Sequence, residues 1–247
     1  MHSVVAHNAS ALLIGNELLS GKVHESNLLE LARTLRAVGV SLRRVVMVPD
    51  EPELIGREVR DQSQTFDVVF TSGGVGPTHD DVTIESIAHA FGVPAKIDPT
   101  MERLLRNAYG DRTTEGHLRM ALVPDGAVLA TTPEILWPTV VFKNIWILPG
   151  VPEIFRMKLA VVRAWVRGPE NFVSRAVFTK MDEADLKPLL DDVVREYPEV
   201  DVGSYPKWFD ATYKTKVTFD SRSGERVDAA VASFLTLLPK GEPQRVE

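Results

Sequence analysis

What most constrains this 247-residue chain is a change of hydrophobic period that recurs along its first two-thirds. Short apolar runs alternate with segments whose apolar residues return every three or four positions. "ALLIG" (Ala11–Gly15), "LRRVVMV" (Leu42–Val48) and "DVVFT" (Asp67–Thr71) read as strands. After the first of them, "NLLELARTLRAVGV" sets Leu28, Leu31, Ala32, Leu35 and Val38 on one helical face, with Gly39 as its C-cap. Residues 50–64 read as a helix with Pro52 near its first turn. "DVTIESIAHAFG" aligns Ile84, Ile87, Ala88 and Phe91 and ends at Gly92. Strands alternating with helices call for right-handed crossovers and a mostly parallel sheet covered on both faces, an α/β fold.

Further along, Asp98 and Pro99 supply an N-cap and a first helical residue. "TVVFKNIWILPG" reads as a hairpin turning at Lys143-Asn144, and a helix is expected from Pro152 to Val166. "RGPE" (Arg167–Glu170) is a linker signal, and beyond it the element order changes. A strand at Arg175–Lys180, a helix at Glu183–Glu196, strands at Asp201–Tyr205 and Thr212–Phe219, and a helix at Glu225–Leu238 make a small α+β unit. The expected division is therefore 1–170 and 171–247.

Composition narrows the function classes. Hydrophobic residues make up 44% and charged residues 25%, enough for an ordinary packed core. The net charge of −6 offers no global basic field, so neither nucleic acid nor an anionic membrane is expected as a partner. With no cysteine, disulfides, thiolate catalysis and cysteine-held metals are excluded. No apolar run approaches the roughly 20 residues that span a bilayer, and "MHSVVAHNAS" has no secretory pattern. A cytoplasmic protein is expected.

The chemistry concentrates in "TSGGVGPTHDD", Thr71 to Asp81. Glycines between a strand and a helix let backbone N–H groups approach an anion, the context of a phosphate cradle. The loop lacks the Gly-Lys-Ser/Thr of a Walker motif and the spacing of a dinucleotide fingerprint. A tight turn with Asp80 or Asp81 as N-cap fits the same residues. Asp81 and Glu85, four apart, are expected on one face of the first helical turn, with Asp80 as a third carboxylate. A hard divalent cation bridging them to a phosphate would offset their repulsion, whereas the plain reading is a capped helix with an acidic first turn. Asn16 and Glu17, Glu25 to Asn27, and Asp50 stand at the ends of successive strands, where α/β folds bind ligands. Singly, each suits a cap or a turn. "LPGVPE" (Leu148–Glu153) places Gly150 at another strand end, where the plain reading is a strand-to-helix turn with Pro152 at the first helical position. His24, His79, His89 and His117 have no metal-ligand spacing, although His79 lies within the loop. Tyr205 and Trp208 of "GSYPKW" are expected in a core, with closure over the cleft or a subunit interface as the other readings.

Taken in order, "GNELLSG", "VVMVPDE", "TSGGVGPTHDDVTIE" and "LPGVPE" resemble the molybdopterin-binding (MoaB/MogA-like) domain family in its CinA-like branch. "GGVGPTHDDVT" and "GSYPKW" are most similar to the N-terminal portion of eukaryotic FAD synthase. The resemblance implies a three-layer α/β/α domain with an anion- and nucleotide-binding cleft, self-association, and a nucleotide or pterin ligand. It also implies metal-dependent cleavage of the diphosphate of ADP-ribose or FAD, with Co2+, Mg2+ or Mn2+ and with K+ as a further ion; more distant relatives bind and adenylylate molybdopterin. By position, Gly73, Gly74, Val75, Gly76 and Thr78 match the phosphate loop, and Glu17, Asn27 and Gly150 match further ligand-side positions. Asp81 and Asp50 match the family's functional aspartates, Glu85 is a further catalytic candidate, and Asp80 or Asp81 is the metal carboxylate. "TTPEILWPT" stands near 131–139 where the resemblance calls for a glycine-rich loop. The sequence given carries neither an amidase half nor an adenylyltransferase half, so neither activity is expected of it.

Overall fold

The computed structural model describes residues 3–208 and 212–247 and divides into two compact units, Met1–Pro169 and Glu170–Glu247. The first unit opens with β1 (Val4–Val5), β2 (Asn8–Ile14), the short α1 (Asn16–Leu19), α2 (Asn27–Ala37), β3 (Ser41–Val48), α3 (Pro52–Thr65) and β4 (Val68–Ser72). It continues with α4 (Thr83–Ala90), β5 (Ala95–Ile97), α5 (Pro99–Tyr109), α6 (Glu115–Arg119), β6 (Leu122–Pro124) and β7 (Val128–Ala130). β8 (Thr139–Phe142), β9 (Ile145–Leu148), α7 (Pro152–Trp165) and β10 (Val166–Arg167) complete it.

Six strands form one sheet in the order β3-β2-β4-β9-β8-β7. The first four run parallel, and β8 and β7 add an antiparallel edge. The alternation of side chains across the sheet explains the layers. On β9, Ile145 and Ile147 enter a core with Ile55, Val59, Ile84, Ile87, Met101 and Leu105 from α3, α4 and α5. Trp146 and Leu148 enter the opposite core with Leu31, Leu35, Phe155, Leu159 and Val162 from α2 and α7. Helices therefore cover both faces, the three-layer α/β/α arrangement. The hairpin turns at Lys143-Asn144, with Lys143 in the left-handed region at φ 54°. Asn144 anchors it by donating to the Ser63 and Phe66 carbonyls. Sequence periodicity gave no sign of the β5–β6 ribbon, α6 or β7, whose segments are too short to display a period.

The second unit has its own sheet and core. β11 (Val173–Thr179), α8 (Glu183–Glu196), β12 (Asp201–Pro206), β13 (Thr215–Ser221), α9 (Gly224–Leu237) and β14 (Arg245–Val246) give the strand order β12-β13-β11-β14. Val177, Leu186, Val193, Val217, Phe219, Val227 and Phe234 fill the space between sheet and helices. The expected core role of Tyr205 and Trp208 does not hold. They are 57% and 87% exposed; β12 is the edge strand of its sheet and none of its residues is fully buried. Among the described residues no helix is long and apolar enough to cross a membrane.

Candidate functional site

The glycine loop is shaped by close packing before any ligand is considered. Gly73 has φ +109°, and a Cβ there would stand 2.1 Å from the Ile14 carbonyl oxygen. At Gly74, φ +65°, it would meet Thr83 Oγ1 at 2.3 Å. Only glycine supplies this backbone without a clash. The Thr83 N–H donates to the Gly74 carbonyl at 3.0 Å and the Thr83 hydroxyl to the Gly73 carbonyl at 2.9 Å, closing the loop onto α4. Among the described residues, the N–H groups of Val75 and Gly76 donate to no protein acceptor.

Neither Asp80 nor Asp81 caps α4. The helix starts at Thr83, its N-cap is Val82, and no side chain bonds there. Asp81 instead turns back into the loop and accepts from the Thr78 N–H at 2.8 Å. The expected pairing of Asp81 with Glu85 on the first helical turn therefore fails, since Asp81 precedes that turn. Glu85 is bound by Arg119 of α6 at 2.9 Å, and the same guanidinium donates to the Asp81 carbonyl at 3.2 Å. The Thr78 hydroxyl lies 2.6 Å from both Asp80 Oδ1 and Asp81 Oδ2. It has one proton, so at any instant it donates to only one of them. That bond holds the Asp80 carboxyl below the ordinary carboxylate range. His79 points into solvent, 3.9 Å from Asp80.

A cavity of about 800 Å³ opens beside this loop, at the carboxyl ends of β2, β4 and β9. Glu17, Val75, Gly76, Asp81 and Gly150 line it, together with apolar groups such as Ile84, Met101, Leu105 and Trp137. Asp50, Asn27, Glu85, Gly73, Gly74, Thr78 and Asp80 are not on its lining. Asp50 accepts the Asn16 N–H at 2.8 Å and so shapes the loop carrying Glu17. Buried Asn27 donates to Ser72 Oγ at 3.1 Å and to the Gly150 carbonyl at 2.8 Å, pinning α2 to two strand ends. Glu25, accepting from the Asn27 and Leu28 N–H groups, caps α2.

Two cations on the cavity wall escaped sequence reasoning. Arg119 comes from α6, a helix too short to be read from periodicity. Lys158 of α7 is only 3% exposed and donates to the carbonyls of Trp137 and Pro138, the latter at 2.7 Å. Its signal was present: Phe155, Lys158, Leu159 and Val162 fall on one helical stripe, so the lysine stands among core positions.

No three His, Cys, Asp or Glu side chains among the described residues converge into a metal cage. The Asp80–Thr78–Asp81 cluster is a different kind of donor set. Two carboxylate oxygens crowd one hydroxyl, which leaves a charge imbalance that a cation relieves. An Mg2+-like ion needs only one or two carboxylates when substrate phosphates complete its shell. Asp80 and Asp81 are the residues whose chemistry would suit such an ion.

An α/β/α sheet with a mostly apolar cavity at its parallel strand ends, bordered by a glycine loop and paired carboxylates, defines the architecture of the first unit. Residues 10–165 match the family described as a probable molybdopterin binding domain, and residues 171–247 match the FAD synthase middle domain. The chain belongs to the molybdopterin-binding domain family. It is 31% identical to a probable FAD synthase of Caenorhabditis elegans, over 93% of this chain and 50% of that one, so it spans about half of that relative's length. A protein of Pyrobaculum calidifontis is 34% identical over 93% of this chain and 95% of its own. The crystal structure of CinA, described as of unknown function, from Thermoplasma acidophilum superposes with a TM-score of 0.59 at 32% identity, covering 64% of this chain and 97% of that one.

Proposed function

We propose that the cavity binds a nucleotide-like small molecule and that the chain cleaves its diphosphate, releasing AMP from a substrate of the ADP-ribose or FAD type. The observation that carries this reading is the joining of three features on one wall: unengaged Val75 and Gly76 amides, the Asp81 carboxylate and a deep apolar chamber. The amides suit phosphate oxygens, and the chamber suits a planar ring. In the reaction, a water oxygen bonds to one phosphorus while the bond from that phosphorus to the bridging oxygen breaks. The water proton leaves, and two phosphomonoesters result. The loop amides stabilise charge that builds on the phosphoryl oxygens, and Ile84, Met101 and Leu105 exclude bulk water from the ring end of the chamber. Asp80 and Asp81 are the residues that would hold a divalent ion. When bound, such an ion neutralises phosphate charge and makes water a stronger nucleophile. Asp50 acts indirectly, through the Asn16 loop that positions Glu17.

The engagement of Glu85 by Arg119 favours a second reading, a nucleotide- or pterin-binding module without turnover, because it leaves fewer carboxylates for metal chemistry. An AMP-release assay, calorimetry and an incubation with ATP and a pterin separate the readings. The protein is incubated with ADP-ribose, FAD and NAD plus Co2+, Mg2+ or Mn2+, and AMP is quantified. Metal-dependent AMP release, reduced at least about 100-fold by Asp81→Ala, supports cleavage. Tight binding by calorimetry without AMP release moves the conclusion to the binding module, and pyrophosphate release from ATP that requires added pterin moves it to adenylyl transfer.

A further inference from the structure

Lys158 has no ordinary reason to be where it is. Its ammonium lies inside the first unit, on the wall of the cavity, without a carboxylate partner among the described residues. A buried cation costs several kcal/mol unless its charge and its N–H groups are matched. Two backbone carbonyls, of Trp137 and Pro138, accept from it. They satisfy two of its three N–H groups but bring no formal counter-charge. Arg119, the cavity's other cation, is already held by Glu85 and the Asp81 carbonyl. Lysine therefore provides the cavity with a positive charge that no anion among the described residues pairs with.

Resting on the small-molecule reading above, we propose that Lys158 is the cavity's anion receptor, donating its remaining N–H to a negatively charged oxygen of the ligand, a phosphate oxygen in the case of a nucleotide. The two carbonyls fix the ammonium so that little side-chain freedom remains to be lost on binding. Burial also draws the lysine down to about 7, so that near neutral pH it is partly deprotonated in the empty cavity. An anion favours the charged form, and binding then takes up a proton. The other titratable groups on the cavity wall are Glu17, Asp81, Tyr109 and Arg119. On the lysine's own helix, Glu153 and Arg156 face each other at 3.8 Å on the exposed side, and Glu134 is exposed in the segment that supplies the carbonyls.

The test is calorimetric titration of the full chain with ADP-ribose, FAD and inorganic sulfate, with EDTA present to prevent turnover. Runs at pH 6 to 9 in buffers of different ionisation enthalpy count the protons exchanged. The diphosphate of ADP-ribose has no ionisation in this range, so uptake belongs to the protein. The expected result is uptake of up to one proton at pH 8 and an affinity that falls by up to about tenfold per pH unit above 7. Both effects vanish in Lys158→Met, with Lys158→Gln as a second uncharged variant should the first not fold; circular dichroism establishes folding of each. Undiminished, proton-neutral nucleotide binding by a folded variant overturns the lysine assignment and leaves the nucleotide reading intact. Lysine-dependent uptake with sulfate but no binding of either nucleotide supports the lysine and overturns the nucleotide reading. Failure of all three anions to bind the parent, both with EDTA and with Mg2+ in its place, overturns both.

Discussion

Gly73 illustrates how one residue can serve packing and chemistry together. Its left-handed backbone and its 2.1 Å virtual Cβ contact with the Ile14 carbonyl place the loop against β2, and the loop it begins brings Val75 and Gly76 onto the cavity lining. Gly73→Ala is expected to cost at least about 2 kcal/mol, from strain and overlap with backbone that cannot yield. Urea unfolding of the variant measures this. Lys158 makes a second prediction at this scale. Its folded value near 7 lies below the ordinary lysine value, so the unfolded chain holds more protons between about pH 7 and 10. Stability must then rise with pH across that window, by up to about 1.4 kcal/mol per unit from this group alone. Lys158→Met removes the slope and is more stable than the parent below pH 7, where the buried charge weighs fully. Unfolding curves of both proteins over pH 6 to 10 check the sign. The glycines and aspartates were legible in the sequence because their types and spacing carry meaning locally. Lys158 was not, since its significance comes from the Trp137 and Pro138 carbonyls, some twenty residues earlier in the chain.

Elements, more than single residues, decide where the cavity lies. The long ones were readable: α2, α3, α7, α8 and α9 and the central strands have periods sustained over several turns or pleats, and their observed ends fall within a few residues of those expected. The start of α4 was not readable. Asp81 is an excellent cap by type, but a backbone bond from Thr83 to Gly74 and the Thr78–Asp81 contact win over local preference. The wall formed by α6 and the ribbon was equally hidden, as its pieces acquire order only by packing on the sheet, whereas α5 opens as read, with Asp98 capping and Pro99 first. Asn27 ties such elements together, its amide bonding Ser72 at the end of β4 and Gly150 after β9. Asn27→Leu keeps side-chain volume yet leaves the Gly150 carbonyl without this donor. A loss of about 1–3 kcal/mol is expected, together with weaker ADP-ribose binding because the strand-end loops lose their common anchor. Denaturant unfolding and calorimetry on the one variant read both effects.

For the whole molecule, the decisive property is the presence of separate cores. The first unit closes two of its own around the sheet, and the second packs a single core between its sheet and two helices. A unit the size of Glu170–Glu247 buries only about 60% of the surface its unfolded chain exposes, and domains of that size are stable by roughly 4–12 kcal/mol. Phe234, fully buried against Phe219 at a ring-centroid distance of 5.4 Å, is a large share of so small an interior. Phe234→Ala is expected to remove about 3–5 kcal/mol, a substantial fraction of that total. Hydrogen exchange on the full chain checks this strand by strand. Amides of β11 and β13 should lose protection, whereas those of β2, β4 and β9, bonded within a sheet wholly inside the first unit, should retain it. Nucleotide binding should persist in the same variant, since every residue lining the cavity falls between Glu17 and Lys158. Protection lost equally in both sheets would mean that the two units unfold as one cooperative body, and the function of the cavity would then have to be sought in the chain as a whole.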